Sequence, residues 1–188
     1  MTHPLTAWRR PAPSPWRGPL RAGDAVRALA LLSVVVGTWH GGAVATALFL
    51  LVLGGTTVPR AIDAPRALDV AYCSALLLSA WAAQLDWYAS VAWLDVVAHA
   101  VVTALIAVLA ARALQVWGVV GPPRSGSERG VLVVGLGAVL AVLWELGEWA
   151  GNTFLDRSIQ VGYGDTVGDL AAALVGCTVT ALVVARRA

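Results

Sequence analysis

The chain contains no lysine. All 13 of its basic residues are arginine, and charged residues of both signs make up only 13% of its 188 positions. That scarcity of charge, with 59% hydrophobic residues and a mean hydropathy of +0.75, leaves too little polar surface for a soluble globule. Cysteine is also scarce: Cys73 and Cys177 are the only two, and each falls inside an apolar run. Their expected role is that of small buried thiols rather than a disulfide or a metal site. The tight alternation of a transmembrane β-barrel is absent. Net charge is +2 with the arginines scattered over several loops, a distribution that argues against a nucleic-acid interface.

What remains is a set of apolar stretches long enough to cross a bilayer, which takes about 20 residues per helix. The expected fold is all-α: a polytopic bundle of six transmembrane helices. Residues 1–24 hold five of the nine prolines and four arginines, so they are expected to form a disordered cytoplasmic tail. This tail is a poor secretory signal, and Arg9-Arg10 lacks the apolar consensus of a twin-arginine signal. The membrane domain then runs over 25–185, followed by a short cytoplasmic C-terminus at 186–188.

The first apolar block, 25–58, is too long for one span. As a single helix, about 30 residues would measure roughly 45 Å against a hydrocarbon core of about 30 Å. Trp39-His40-Gly41-Gly42 offers a tight turn within it. The expected spans are therefore 25–39, 42–58, 68–86, 93–118, 131–150 and 166–185. Arginine placement supports that count: twelve of the thirteen fall on one side and only Arg157 on the other. A five-span chain would instead put its Arg-rich termini on opposite faces. The excess of basic residues in cytoplasmic loops then predicts that both termini are cytoplasmic. Trp39, Trp87, Trp93 and Trp149 fall near the outer boundary, where an aromatic belt is expected.

Six ionisable residues stand out within these apolar stretches: Asp95 with His99, Glu145 with Glu148, and Asp165 with Asp169. Each pair is spaced by three or four positions and so shares one helical face. The topology brings all three pairs to the extracytoplasmic side in two tiers. Asp95, Glu148 and Asp165 lie nearer the surface, and His99, Glu145 and Asp169 lie about 4–6 Å deeper. Five carboxylates and one imidazole cannot crowd together as free anions in a low dielectric; they require protons or a cation. Oxygen-rich donors with one imidazole suit Mg²⁺, Mn²⁺, Fe²⁺ or Zn²⁺. Two carboxylate layers could also hold two metals, although the Glu-x-x-His of di-iron bundles is replaced here by Glu-x-x-Glu.

Each pair also has a plainer explanation. Asp165, followed by Thr166, could be the N-cap of the last span. Asp95 near a helix start interacts well with the helix dipole, and a lone interior histidine is usually just hydrogen-bonded. Glu145 and Glu148 resist this treatment, because the C-terminal end of a helix disfavours negative charge. His40 is a weaker accessory candidate. Asp156 and Arg157 are expected to pair in the last loop, where Asn152, Gln160 and Tyr163 could line a pocket. Asp63, Asp69 and Glu128 are expected to balance arginines on the opposite face, and Asp86 to be solvated. Gly135-Leu-Gly137 reads as close helix packing.

Three blocks carry a resemblance: Asp95-Val-Val-Ala-His99, Trp144-Glu145-Leu-Gly-Glu148-Trp149, and Gly164-Asp165-Thr166-Val-Gly-Asp169-Leu170. In order and spacing they resemble the bacterial YjdF-like inner-membrane proteins. The match covers the last three spans well and is weaker before them. The resemblance implies a small six-span protein without an assigned activity. One departure is Gly164, where an aromatic is expected; Tyr163 stands one place earlier. The chain is more distantly similar to VanZ-like membrane proteins, a likeness that would point towards the cell envelope.

Three functional readings follow. The first is a metal-dependent hydrolase acting on a lipid or lipid-linked envelope substrate, with Asp95, His99, Glu145, Glu148, Asp165 and Asp169 as metal ligands. In that reading Glu145 or Glu148 is the catalytic candidate, as a free general base. The second is a proton- or cation-coupled transporter or channel, against which stand the lack of an internal repeat and the off-centre cluster. The third is a non-catalytic membrane protein whose acids serve packing or metal-stabilised folding. Expected partners are membrane lipids, with no nucleic acid.

Overall fold

The computed structural model describes residues 18–186. Most of the expected tail, 1–17, and the final Arg187 and Ala188 lie outside the described residues. Within 18–186 all regular structure is helical: α1 (Ala22–Ala61), α2 (Arg66–Gln84), the single turn α3 (Trp87–Ser90), α4 (Ala92–Val116), α5 (Gly126–Phe154) and α6 (Tyr163–Ala185). Five of these helices, all but α3, are long and apolar enough to cross a membrane.

Helix α1 spans 40 residues but is not one rod. At Gly42 the backbone takes φ 63° and ψ −150°, a region essentially closed to residues with a Cβ. The chain doubles back there, where the Trp-His-Gly-Gly sequence predicts a turn. Contacts between the two arms define the hairpin. Thr46 Oγ1 donates to Thr38 Oγ1 at 2.9 Å, Gly37 faces the Phe49 ring, and Arg27 Nε donates to the Thr56 carbonyl at 2.7 Å. Ala30, Phe49, Val52, Leu77 and Ala80 form a core shared between this hairpin and α2. The Trp81 indole closes it, stacking at a tilt on Phe49 and donating to Ser33 Oγ at 3.0 Å.

The hairpin packs on α2, whereas α4, α5 and α6 pack on one another; α2 meets α4 and joins the two groups. Ile62, Tyr72, Cys73, Leu109 and Ala113 fill that junction. Cys73 and Cys177 are both buried, unbridged thiols.

At the end of the hairpin remote from Gly42, the arginines are structural. Arg27 lies inside α1 and is buried. Its guanidinium pairs with Asp69, which is fully buried, and with Asp24 at 2.8 Å; Asp24 also faces Arg60 at 3.5 Å. Residues 18–24 are therefore held in place rather than forming a disordered tail. Arg60 reaches the carbonyls of Pro19 and Gly18, and Arg21 pairs with Asp63 and bonds the Ala64 carbonyl. The reason is that a guanidinium leaving water needs acceptors, and these backbone carbonyls supply them. Arg112 on α4 donates to the Asp63 carbonyl at 2.7 Å, tying the same turn to the second group of helices. The hydrogen bond from Arg21 holds the Asp63 carboxyl below its ordinary range. Glu128 serves its own helix, accepting from the Arg124 amide at 2.6 Å while Ser125 Oγ accepts from the Glu128 amide at 3.1 Å.

Breaking this network from one side should be costly. Arg27→Met leaves the Asp69 carboxylate buried without its cation, and a loss of about 3–5 kcal/mol is expected. It would be read as a lowered thermal midpoint in detergent, and the double variant Arg27→Met/Asp69→Leu should recover most of it.

Candidate metal site at the ends of α4, α5 and α6

The second group of helices is built on small residues. On α5 the buried positions Gly130, Val133, Gly137, Ala141 and Glu145 recur every three or four residues. On α6 the corresponding stripe is Asp169, Ala172, Ala173, Cys177 and Ala181. On α4 it is Thr103, Ala104, Ala107 and Ala111, with His99 one turn earlier. Each stripe thus ends in an ionisable residue, and all three face a shared seam.

The seam is tight because two glycines permit it. A Cβ at Gly176 would run into the Ala100 carbonyl, so the α4 and α6 backbones touch there; a Cβ at Gly137 would overlap the Cys177 sulfur. Gly135, its neighbour in the sequence motif, faces open space and takes no part. His99 adjoins Ala100, Asp169 lies seven residues, or two turns, before Gly176, and Glu145 lies eight residues beyond Gly137. The same packing that brings the backbones together therefore brings these three side chains together.

His99 stands at the centre. Its Nε2 is 3.5 Å from Asp95 Oδ1 and 3.8 Å from Asp169 Oδ2, and its Nδ1 is 3.9 Å from Glu145 Oε1. Ligand atoms of Asp95, His99 and Asp169 all lie within 4.8 Å of one another. Two donors bound to one metal at about 2.1 Å each sit about 3.0–3.4 Å apart, so a small inward movement suffices to close this set on a cation. Glu145 occupies a different place, 3.9 Å from the far nitrogen of the imidazole and beyond hydrogen-bond distance. The side chains of His99, Glu145 and Asp169 are only 14%, 9% and 6% exposed, against 27% for Asp95. The site thus deepens from Asp95 inwards.

Two of the six sequence candidates lie at the rim of this group, outside the three residues whose ligand atoms share one space. Glu148 is half-buried one turn beyond Glu145, and Asp165 is exposed one turn before Asp169. Among the described residues neither forms an ion pair with His99. Asp165 is not a helix cap: α6 begins at Tyr163, and Gly162 is its N-cap. His40, exposed beside the Gly42 bend, does not join the cluster. Trp39, Trp87, Trp93 and Trp149 are all substantially exposed on the helices. Sequence reasoning missed Gly176 and Ala100, whose contact sets the spacing. The available signal was the seven-residue step from Asp169 to Gly176 along a stripe of alanines.

A chain whose described residues are all helical in their regular structure, with five long apolar helices among them carrying acids and a histidine at their packed faces, is a multi-pass membrane protein. Residues 25–188 match the family model described as "Predicted membrane protein (DUF2238)", and the chain belongs to that family. No curated protein and no solved structure matches the chain.

Packing at the seam predicts unequal glycines. Gly176→Leu should push α4 from α6 and cost about 1–3 kcal/mol or more, read as a drop in unfolding midpoint in detergent. Gly135→Ala should be neutral or stabilising, since alanine there meets nothing and favours the helix by about 1 kcal/mol.

Proposed function

We propose that the protein is a six-span, YjdF-like protein of the bacterial inner membrane that hydrolyses a lipid or lipid-linked envelope substrate with the help of a divalent cation. The observation that carries this reading is the convergence of Asp95, His99 and Asp169 from two helices, with Glu145 from a third on the far side of the imidazole. Two carboxylates and one imidazole leave coordination positions open, the pattern of a catalytic rather than a closed structural site. Mg²⁺, Mn²⁺, Fe²⁺ and Zn²⁺ all suit such donors. When bound, the cation supplies Lewis acidity, activating water and polarising a phosphoryl or acyl oxygen.

The remaining residues divide the work. Glu145 lies on the far side of His99. Glu148, half-buried and one turn nearer the surface, is the group placed to take a proton from water. Asp165 stands at the mouth. The hairpin at Gly42 supports the six-span count, because each arm is then about 20 residues, close to one bilayer crossing. With that count both termini are cytoplasmic, twelve of thirteen arginines lie on the cytoplasmic side, and the cluster faces outward. Its position within about two turns of the α4 start favours chemistry at the lipid headgroup level over ion coupling at the midplane.

Elemental analysis of detergent-purified protein tests the reading. About one divalent cation per chain is expected in the natural protein, with a severalfold loss in Asp169→Asn and retention in Glu148→Gln. Metal-free protein that takes up none on titration would refute it.

A further inference from the structure

Beside the cluster, the loop between α5 and α6 borders an open, shallow cleft of about 400 Å³ lined by Asn152, Arg157, Ser158, Gln160 and Asp165 together with Ile159 and Val161. The lining is mixed, polar and apolar in about equal parts. Arg157 is the only basic residue between Arg129 and Arg186. Among the described residues its guanidinium makes no hydrogen bond and no ion pair within the chain. The expected pairing with Asp156 does not form; that carboxylate accepts from the Ser158 amide at 2.8 Å.

The loop is nonetheless built. Asn152 Nδ2 donates to the Ile159 carbonyl at 2.6 Å and to the Arg157 carbonyl at 3.3 Å. The Ile159 amide donates to the Asp156 carbonyl at 3.2 Å, and the Ile159 side chain packs against Gly151. These bonds spend the polar groups of Asn152 and Asp156 on fixing the backbone and leave the exposed Arg157 fork on the cleft, unbonded to Asp165, the one carboxylate in the lining. A guanidinium presents a planar array of donors that matches a phosphate oxygen pair. The other lining charge, Asp165, lies one turn from Asp169 and so connects the cleft to the cation-binding group.

We infer that this cleft binds the phosphate group of the substrate, with Arg157 as its anion receptor. The inference rests on the hydrolase reading and narrows it: the substrate is a phosphate ester presented from the membrane surface. A neutral ester would leave the exposed Arg157 to water and gain nothing from it. A phosphate satisfies it while keeping the scissile region next to Asp165 and the cluster beyond.

Native mass spectrometry of the full-length protein in detergent provides the test, with dioleoyl phosphatidic acid and dioleoylglycerol as probes. Phosphatidic acid should be retained in preference to dioleoylglycerol. Arg157→Gln should weaken it about ten-fold or more, and Arg157→Lys less. Arg66→Gln, which removes the same charge at the opposite end of the bundle, should leave binding unchanged. Competition by inorganic phosphate distinguishes the sources: displacement means the oxyanion alone is recognised, and its absence means the phosphate must be lipid-borne. Equal binding by Arg157→Gln and the natural protein, or equal loss in Arg66→Gln, would overturn the inference. Metal content measured on the same samples separates the two readings. Arg157-dependent binding by metal-free protein would remove the hydrolase and keep the phosphate site; metal without Arg157 dependence would do the reverse.

Discussion

The contact between the α4 and α6 backbones at Ala100 and Gly176 is the constraint on which the candidate site depends. Lipid tails are as apolar as leucine, so helices in a bilayer gain little from burying large side chains against each other. Close approach through small residues, with its dispersion contacts, takes over that role. Such contacts are short-ranged and fix both depth and rotation of each helix. With Gly176 on Ala100 and Gly137 on Cys177, the three helices lie close enough for the ionisable residues on their small-residue stripes, His99, Glu145 and Asp169, to meet.

The two ends of the bundle handle charge in opposite ways. At one end Arg27 and Arg60 meet Asp24 and Asp69, so cations and anions are matched within the chain. At the other end Asp95, Glu145 and Asp169 surround one imidazole, leaving a surplus of acid. A matched set can be explained by folding alone. An unmatched set held in a low dielectric calls for something from outside, and that asymmetry is why function is sought at His99 rather than at Arg27.

Much of this was legible from spacing. Run length and composition specify a helical membrane chain, and the Gly-Gly step after His40 marks the reversal of α1. The pairs Asp95/His99 and Asp165/Asp169 announce their shared faces through the helical period alone. Periodicity says nothing about which of six acids and imidazoles meet across helices, because that depends on interhelical distance and rotation. Glu148 and Asp165 therefore looked equivalent to Glu145 and Asp169 in sequence, yet they stand a turn outside the group. Spacing is equally silent on the burial of Arg27 within α1. Its partner Asp69 lies 42 residues away, beyond the reach of any local pattern. The Asp156–Arg157 pair is absent, and the Asp156 carboxylate instead accepts from the Ser158 amide.

The long sequence separation between Arg27 and Asp69 also bears on how the chain is assembled. When the α1 hairpin first leaves the ribosome, Asp24 alone must serve two guanidiniums, and the hairpin carries an uncompensated positive charge. Completion of α2 delivers the missing carboxylate. The hairpin and α2 therefore form one unit in charge as well as in packing, since its buried cations are balanced only when all three helices are together.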